Sequence, residues 1–170
     1  MAPADHLCRP WRVHGLAADE GLALHDVWEV ATPLAPGVTL AAWLEAFRAE
    51  PRPLASRALF GVRGALGRLL GLDRGSAGFV PAYREADEQL FRIANRTVTA
   101  LLHVSLADRR PRLAVYVRPE GRLGRAYLRI IEPFRRWVVY PALLAAGGRV
   151  AARLNSAASS APRASVTKPV

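Results

Sequence analysis

The sequence contains one cysteine, one methionine and, among 24 basic side chains, a single lysine. The lone Cys8 excludes an intrachain disulfide and leaves the redox compartment open. His6 with Cys8 is too sparse for a metal site, and no zinc-spaced set of ligands occurs elsewhere, so no metal is expected. A phosphate-cradling loop is also missing. GVRGALGRLLG places its glycines every third residue inside a helical pattern rather than in a strand-to-helix turn, and no cofactor is implied. The opening MAPADHLCRPW has Asp5, His6 and Arg9 where a secretory signal needs an apolar stretch. The uncharged run from Trp137 to Gly148 is far shorter than the roughly 20 residues of a spanning helix, and it contains Pro141. The expectation is a soluble, cytoplasmic protein.

The scarcity of lysine bears on the charge. A net charge of +10 and a pI near 11.2 ordinarily point to an acidic partner. Here Lys168 is the only lysine, and arginine and alanine abound, a bias of GC-rich coding that would put arginine on any solvated face. Nucleic acid is not an expected partner, because no recognisable module and no exposed stacking aromatics accompany the arginines. Weak contact with an anionic membrane, through the basic face and the WVVYPALLAAG end, stays open. With 170 residues, 51% of them hydrophobic, the chain suits one domain with a real core.

After an irregular opening, HDVWEVAT (25–32) reads as a strand, with Val27 and Glu29 on one side and Trp28 and Val30 on the other. Thr39 caps a helix through about Arg48, whose Leu40, Trp43, Leu44 and Phe47 form an apolar stripe. Pro51 and Pro53 end it, and a second helix is expected over 56–70. Residues 79–95 are ambiguous, with a strand at 89–93. TVTALLHVSL (97–106) and RLAVYVR (112–118) are antiparallel strands about an ADRRP loop, each with one apolar and one wetter face. A long helix spans 122–154. Its inner stripe is Leu123, Tyr127, Ile130, Ile131, Phe134, Trp137, Val138 and Leu144, and its outer side is Arg122, Arg125, Arg129, Glu132 and Arg136. Pro133 and Pro141 should each kink it. Residues 155–170 read as a disordered tail after a domain spanning 1–154.

NRTVTALLHVSL, followed by RLAVYVRPEGRLGRAYLRIIEPFRRWVVYPALL, resembles the C-terminal half of a bacterial family of uncharacterised single-domain proteins. The shared features are an alternating strand ending in Val-Arg-Pro, a Gly-Leu-Gly-x-x-Tyr helix start and Pro-Phe-Arg running into Val-Tyr-Pro-Ala. The likeness covers residues 95–145. That family is similar to the helix-grip superfamily of START lipid-transfer domains, polyketide cyclases and birch-pollen-allergen-like proteins. The resemblance implies an α+β fold. In it a curved antiparallel sheet wraps around the long C-terminal helix, here with two helices inserted after the first strand, often about an apolar pocket. It carries over no catalytic residue, and fold alone does not decide function.

The expected pocket lining is Trp28, Trp43, Phe47, Tyr116, Tyr127, Ile131, Phe134 and Trp137, and the expected partner is a small hydrophobic ligand: a lipid, polyketide or aromatic. Tyr116 lies on the more polar strand face. A cyclase- or isomerase-like alternative would use His103 or Tyr127 as acid or base, but alternation turns His103 away from the apolar side. His25 and Asp26 point to opposite faces and make no dyad. Glu85, Asp87 and Glu88 read as a solvated turn. No catalytic constellation is expected, and oligomeric state is not fixed by the sequence.

Overall fold

A computed structural model describes residues 11–51 and 80–160. The expected helix at 56–70 lies outside the described residues. The architecture is α+β. Strands β1 (Ala23–Glu29), β2 (Val80–Arg84), β3 (Glu88–Ala94), β4 (Val98–Ala107) and β5 (Arg110–Pro119) form one open antiparallel sheet in the order β1-β5-β4-β3-β2. Helix α1 spans Trp11–Asp19 and α2 spans Leu40–Ala49. A long C-terminal helical stretch comprises α3 (Gly121–Phe134), a π-helical turn (Arg135–Val139) and α4 (Tyr140–Ser160).

The central hairpin is tighter than the five-residue loop expected from ADRRP. Ala107 pairs with Arg110, and only Asp108 and Arg109 turn, at φ 50° and 62°. Two successive left-handed residues are the conformation that matches strand twist in a two-residue hairpin. Residues 79–95 resolve into the β2–β3 hairpin, closed where the Glu85 N–H donates to the Glu88 carbonyl at 2.8 Å. Thr39 caps α2 as expected, its Oγ1 accepting from the Ala42 N–H at 3.2 Å.

Three corrections follow from how the sheet is covered. From residue 11, where the described part begins, the stretch before β1 is not irregular: α1 packs Val13 and Ala17, one turn apart, against Leu90, Leu101, Ala114 and Tyr116. The face read as the wetter one is therefore a second core, and Thr97, Thr99 and His103 on it are buried. The signal was weak because, among the described side chains of α1, only Val13 and Ala17 are buried, on either side of Gly15. The C-terminal helix also continues past Leu154 to Ser160 rather than ending in a tail at Asn155. There the Asn155 side chain accepts from the Ala35 N–H at 2.6 Å and donates to the Pro33 carbonyl at 2.9 Å. Residues 161–170 are outside the described part.

The third correction concerns α3. Its sheet-facing positions are Gly124, Tyr127 and Leu128, which meet Val98, Ala100 and Val117. The expected inner residues Leu123, Ile130, Trp137 and Val138 are exposed. The rule that large apolar residues face inward fails here because the close contact is made by backbone. Gly124 lies directly on the Thr97 carbonyl, where any side chain would collide, so the inward face is rotated by about one residue.

The prolines do not break the stretch. Pro133 cannot donate to the carbonyl four residues back. Just beyond it the chain adopts the wider π spacing, with the Tyr140 N–H bonded to the Arg135 carbonyl. Pro141 falls in the first turn after that segment.

Candidate functional site

The second face of the sheet, with α2 and the start of α4, encloses a partly open groove of about 600 Å³. Alternation along the strands decides which side chains reach it. Trp28 and Val30 enter from the β1 side, Phe91 from β3, Leu102 and Val104 from β4 and Leu113 from β5. Helix α2 contributes Trp43, Leu44 and Phe47, one continuous stripe, and the helical stretch contributes Val139, Tyr140, Leu143 and Leu144. Apolar side chains dominate this lining, and the charged ones are Arg48, Glu50 and Arg112.

The wall on the α2 side is held by backbone contact and one buried hydrogen bond. Trp43 Nε1 donates to the Gly147 carbonyl at 3.1 Å, and its ring stacks on Phe47 at 5.1 Å and 11°. A methyl group on Gly147 would lie 3.0 Å from Trp43 Cζ2 and 3.1 Å from Val30 Cγ2. The absence of a side chain there therefore sets how near α2 and α4 can come.

A polar knot closes the groove beside Trp28. Arg135 Nη2 donates to Asp26 Oδ2 at 2.5 Å and to the Tyr140 hydroxyl at 2.6 Å, and that hydroxyl donates to Asp26 Oδ2 at 3.1 Å. Asp26 and Arg135 are each only 12% exposed, so the pair is costly to break even though forming it gains little. Trp28 lies on Tyr140 with centroids 5.0 Å apart. Burial pushes the Tyr140 pKa up to about 12. The phenol therefore stays protonated at neutral pH and serves as a hydrogen-bond donor, not a base.

At the rim, Arg112 donates to Glu29 at 2.6 Å. Glu50 is bound by Arg153 and Arg149, and the Arg153 hydrogen bond in particular holds its carboxyl below the usual carboxylate range. Arg48 has no acidic partner among the described residues, and its guanidinium rests 5.2 Å over the Phe91 ring.

Of the eight residues expected to line a pocket, Trp28, Trp43 and Phe47 do so. Tyr116 is buried on the opposite face, against α1. Tyr127 packs at the far end of the sheet with Val98, Ala100 and Val117. Ile131 and Phe134 are half-buried outside the groove, and Trp137 is 80% exposed. The lining residues that sequence reasoning did not name include Tyr140, Val139, Leu143 and Phe91, besides the aliphatic side chains of α2 and the strands. The first three are shifted by the π turn, and Phe91 sits in the segment whose pattern was ambiguous.

His103 is 1% exposed and hydrogen-bonded to Glu88 at 2.9 Å, on the α1 face and away from the groove. Neither it nor Tyr127, the two groups expected to act as acid or base, lines the groove. Asp26 pairs with Arg135 rather than with His25. Among the described residues, no cluster of His, Cys, Asp and Glu could hold a metal ion. Among them, too, no helix is long and apolar enough to cross a membrane.

Fold and site thus define an α+β domain with an apolar groove between an open antiparallel sheet and a long C-terminal helix. Residues 19–142 match the model of a family described as protein of unknown function (DUF2867), and the chain belongs to that family. No curated protein and no solved structure matches the chain.

Proposed function

We propose that this protein binds a small hydrophobic ligand, such as a lipid, polyketide or aromatic compound, in the groove between sheet, α2 and α4. The observation that carries this reading is the groove: about 600 Å³, walled by aromatic and aliphatic side chains, with its charges held in ion pairs or set at the rim. That volume falls within the range of sites for small organic ligands, which are mostly apolar with a few placed polar groups. Resemblance to the helix-grip superfamily, whose members bind, transfer or transform hydrophobic molecules, points the same way. The Tyr140 hydroxyl at the groove wall is already committed to Asp26 and Arg135, which favours binding of an apolar ligand over chemistry on it. A cytoplasmic location agrees with this reading.

The test is native mass spectrometry of the full chain purified from its own host, paired with titration by the fluorescent apolar probe anilinonaphthalene sulfonate. A co-purified small molecule that the probe displaces, together with loss of probe binding in Leu102→Trp, is the expected result. Protein that carries no added mass, with probe binding unchanged by Leu102→Trp, would overturn the reading.

A further inference from the structure

The groove leaves one surface unexplained. Leu123, Ile130 and Trp137 recur every seven residues along α3 and the π turn, and they are 46%, 70% and 80% exposed. Tyr127 and Phe134 fall between them on the same stripe, half-buried. Isolated apolar residues at a surface need no explanation, but an aligned row of large ones does. Further round the helix, next to this row on the side turned away from the sheet, Arg122, Arg129 and Arg136 are exposed, as is Arg125 beyond them. Among the described residues only Arg136 has an acidic neighbour, Glu132 at 3.8 Å. GC-rich coding explains arginine but not isoleucine, whose codons are AT-rich; the chain has three isoleucines, at 93, 130 and 131.

Charge selects the occupant of this face. A second copy of the chain would set one arginine row near another in a molecule of net charge +10, which is unfavourable. A nucleic acid would engage the arginines and leave Ile130 and Trp137 without a role. An anionic lipid surface uses both parts. The indole sits at headgroup level, and leucine and isoleucine enter the acyl boundary. The arginines meet headgroup charge while their methylene stems stay in the apolar layer. We propose that α3 and the π turn dock this protein on an anionic membrane surface through Leu123, Ile130 and Trp137, with the arginine row beside them. The docking helix face is not the Trp137–Gly147 end as a whole, since Val139, Tyr140 and Ala146 are buried. The inference stands independently of what the groove holds.

The experiment is co-sedimentation of the full chain with phosphatidylcholine vesicles, with and without added phosphatidylserine. The expected result is binding that requires phosphatidylserine and weakens with salt. It should fall about fivefold for each of Arg122→Gln and Arg129→Gln. It should also fall roughly tenfold in Ile130→Ser and Trp137→Ser, which remove the inserted apolar surface. All four side chains are exposed, so circular dichroism should report an unchanged fold. Absence of binding to either vesicle, binding indifferent to phosphatidylserine, or binding unmoved by Ile130→Ser and Trp137→Ser would overturn the proposal. So would oligonucleotide binding that follows the arginines, with no vesicle binding.

Discussion

Gly124, on the first turn of α3, rests so closely on the carbonyl of Thr97 that a methyl group at its α-carbon would overlap the oxygen. The same carbonyl accepts the Glu120 N–H at 2.8 Å, and Glu120 in turn accepts from the Thr99 hydroxyl at 2.8 Å and from Arg118 at 3.0 Å. One backbone oxygen between β3 and β4 thus fixes where β5 ends and where the long helix begins. The hydrogen bond from Thr99, with Arg118 beside it, holds the Glu120 carboxyl below its ordinary range.

Gly124→Ala should therefore destabilise the fold, although alanine is the better helix former by about 1 kcal/mol. Because the obstacle is backbone and cannot swing aside, a loss of about 3 kcal/mol is expected. A substitution at Gly15, whose added methyl would meet open space, should not destabilise in that way. Urea denaturation of the two alanine variants separates a packing requirement from simple helix propensity. Equal midpoints would show that the Thr97 contact is not limiting.

The sheet, its central hairpin and the α2 stripe were legible in the sequence because two-residue and 3.6-residue periodicities are local properties. Trp28, Trp43 and Phe47 were recoverable as groove residues for the same reason. What escaped depends on close approach or on long-range partners. Gly124 rotates the inner face of α3 through a backbone contact that hydropathy cannot register. The π turn then moves Val139 and Tyr140 into positions that a regular helix assigns to their neighbours. His103 and Tyr116 were placed on a wet face because nothing in the alternation of β4 and β5 announces that α1 covers it.

Asn155 marks a second place where the fold reaches beyond its apparent end. Its amide both accepts from Ala35 and donates to Pro33, pinning the loop before α2 to the C-terminal helix. Asn155→Ala should cost about 2 kcal/mol, since a backbone donor and acceptor both lose their partner. Thermal unfolding should show the loss, and hydrogen exchange should rise at the Ala35 amide specifically. A variant with unchanged exchange there would indicate that this tie is not maintained in solution.

In the groove, Leu102 is half-buried on the central strand β4 and faces the cavity from the sheet side. Leu102→Trp places the larger ring in existing space rather than in packed core. Its stability cost should stay within about 1–2 kcal/mol, while affinity for an apolar probe falls at least tenfold. Val104→Trp, at a position nearly fully buried, should instead cost about 3 kcal/mol or more. Comparing the two by calorimetry and probe titration distinguishes filling a cavity from overpacking a core. Similar destabilisation in both would mean that the groove is closed around Leu102.

The knot of Asp26, Arg135 and Tyr140 gives the stability of the protein a defined alkaline limit. Burial raises the Tyr140 pKa from 10.0 to about 12 in the folded state. Between those values the unfolded chain has released the phenolic proton while the folded chain still holds it, so stability must fall as pH rises. The contribution, about 3 kcal/mol, is fully present below pH 10 and lost by about pH 12. Tyr140→Phe removes the titrating group along with its hydrogen bonds to Asp26 and Arg135, and should cost about 1–2 kcal/mol at neutral pH. The variant should then show a shallower alkaline decline than the parent, so that the gap between the two narrows above pH 10. Chemical denaturation of both at pH 8, 10 and 11 measures that gap directly. A gap that stays constant across the series would place the hydroxyl in contact with water instead of inside the knot.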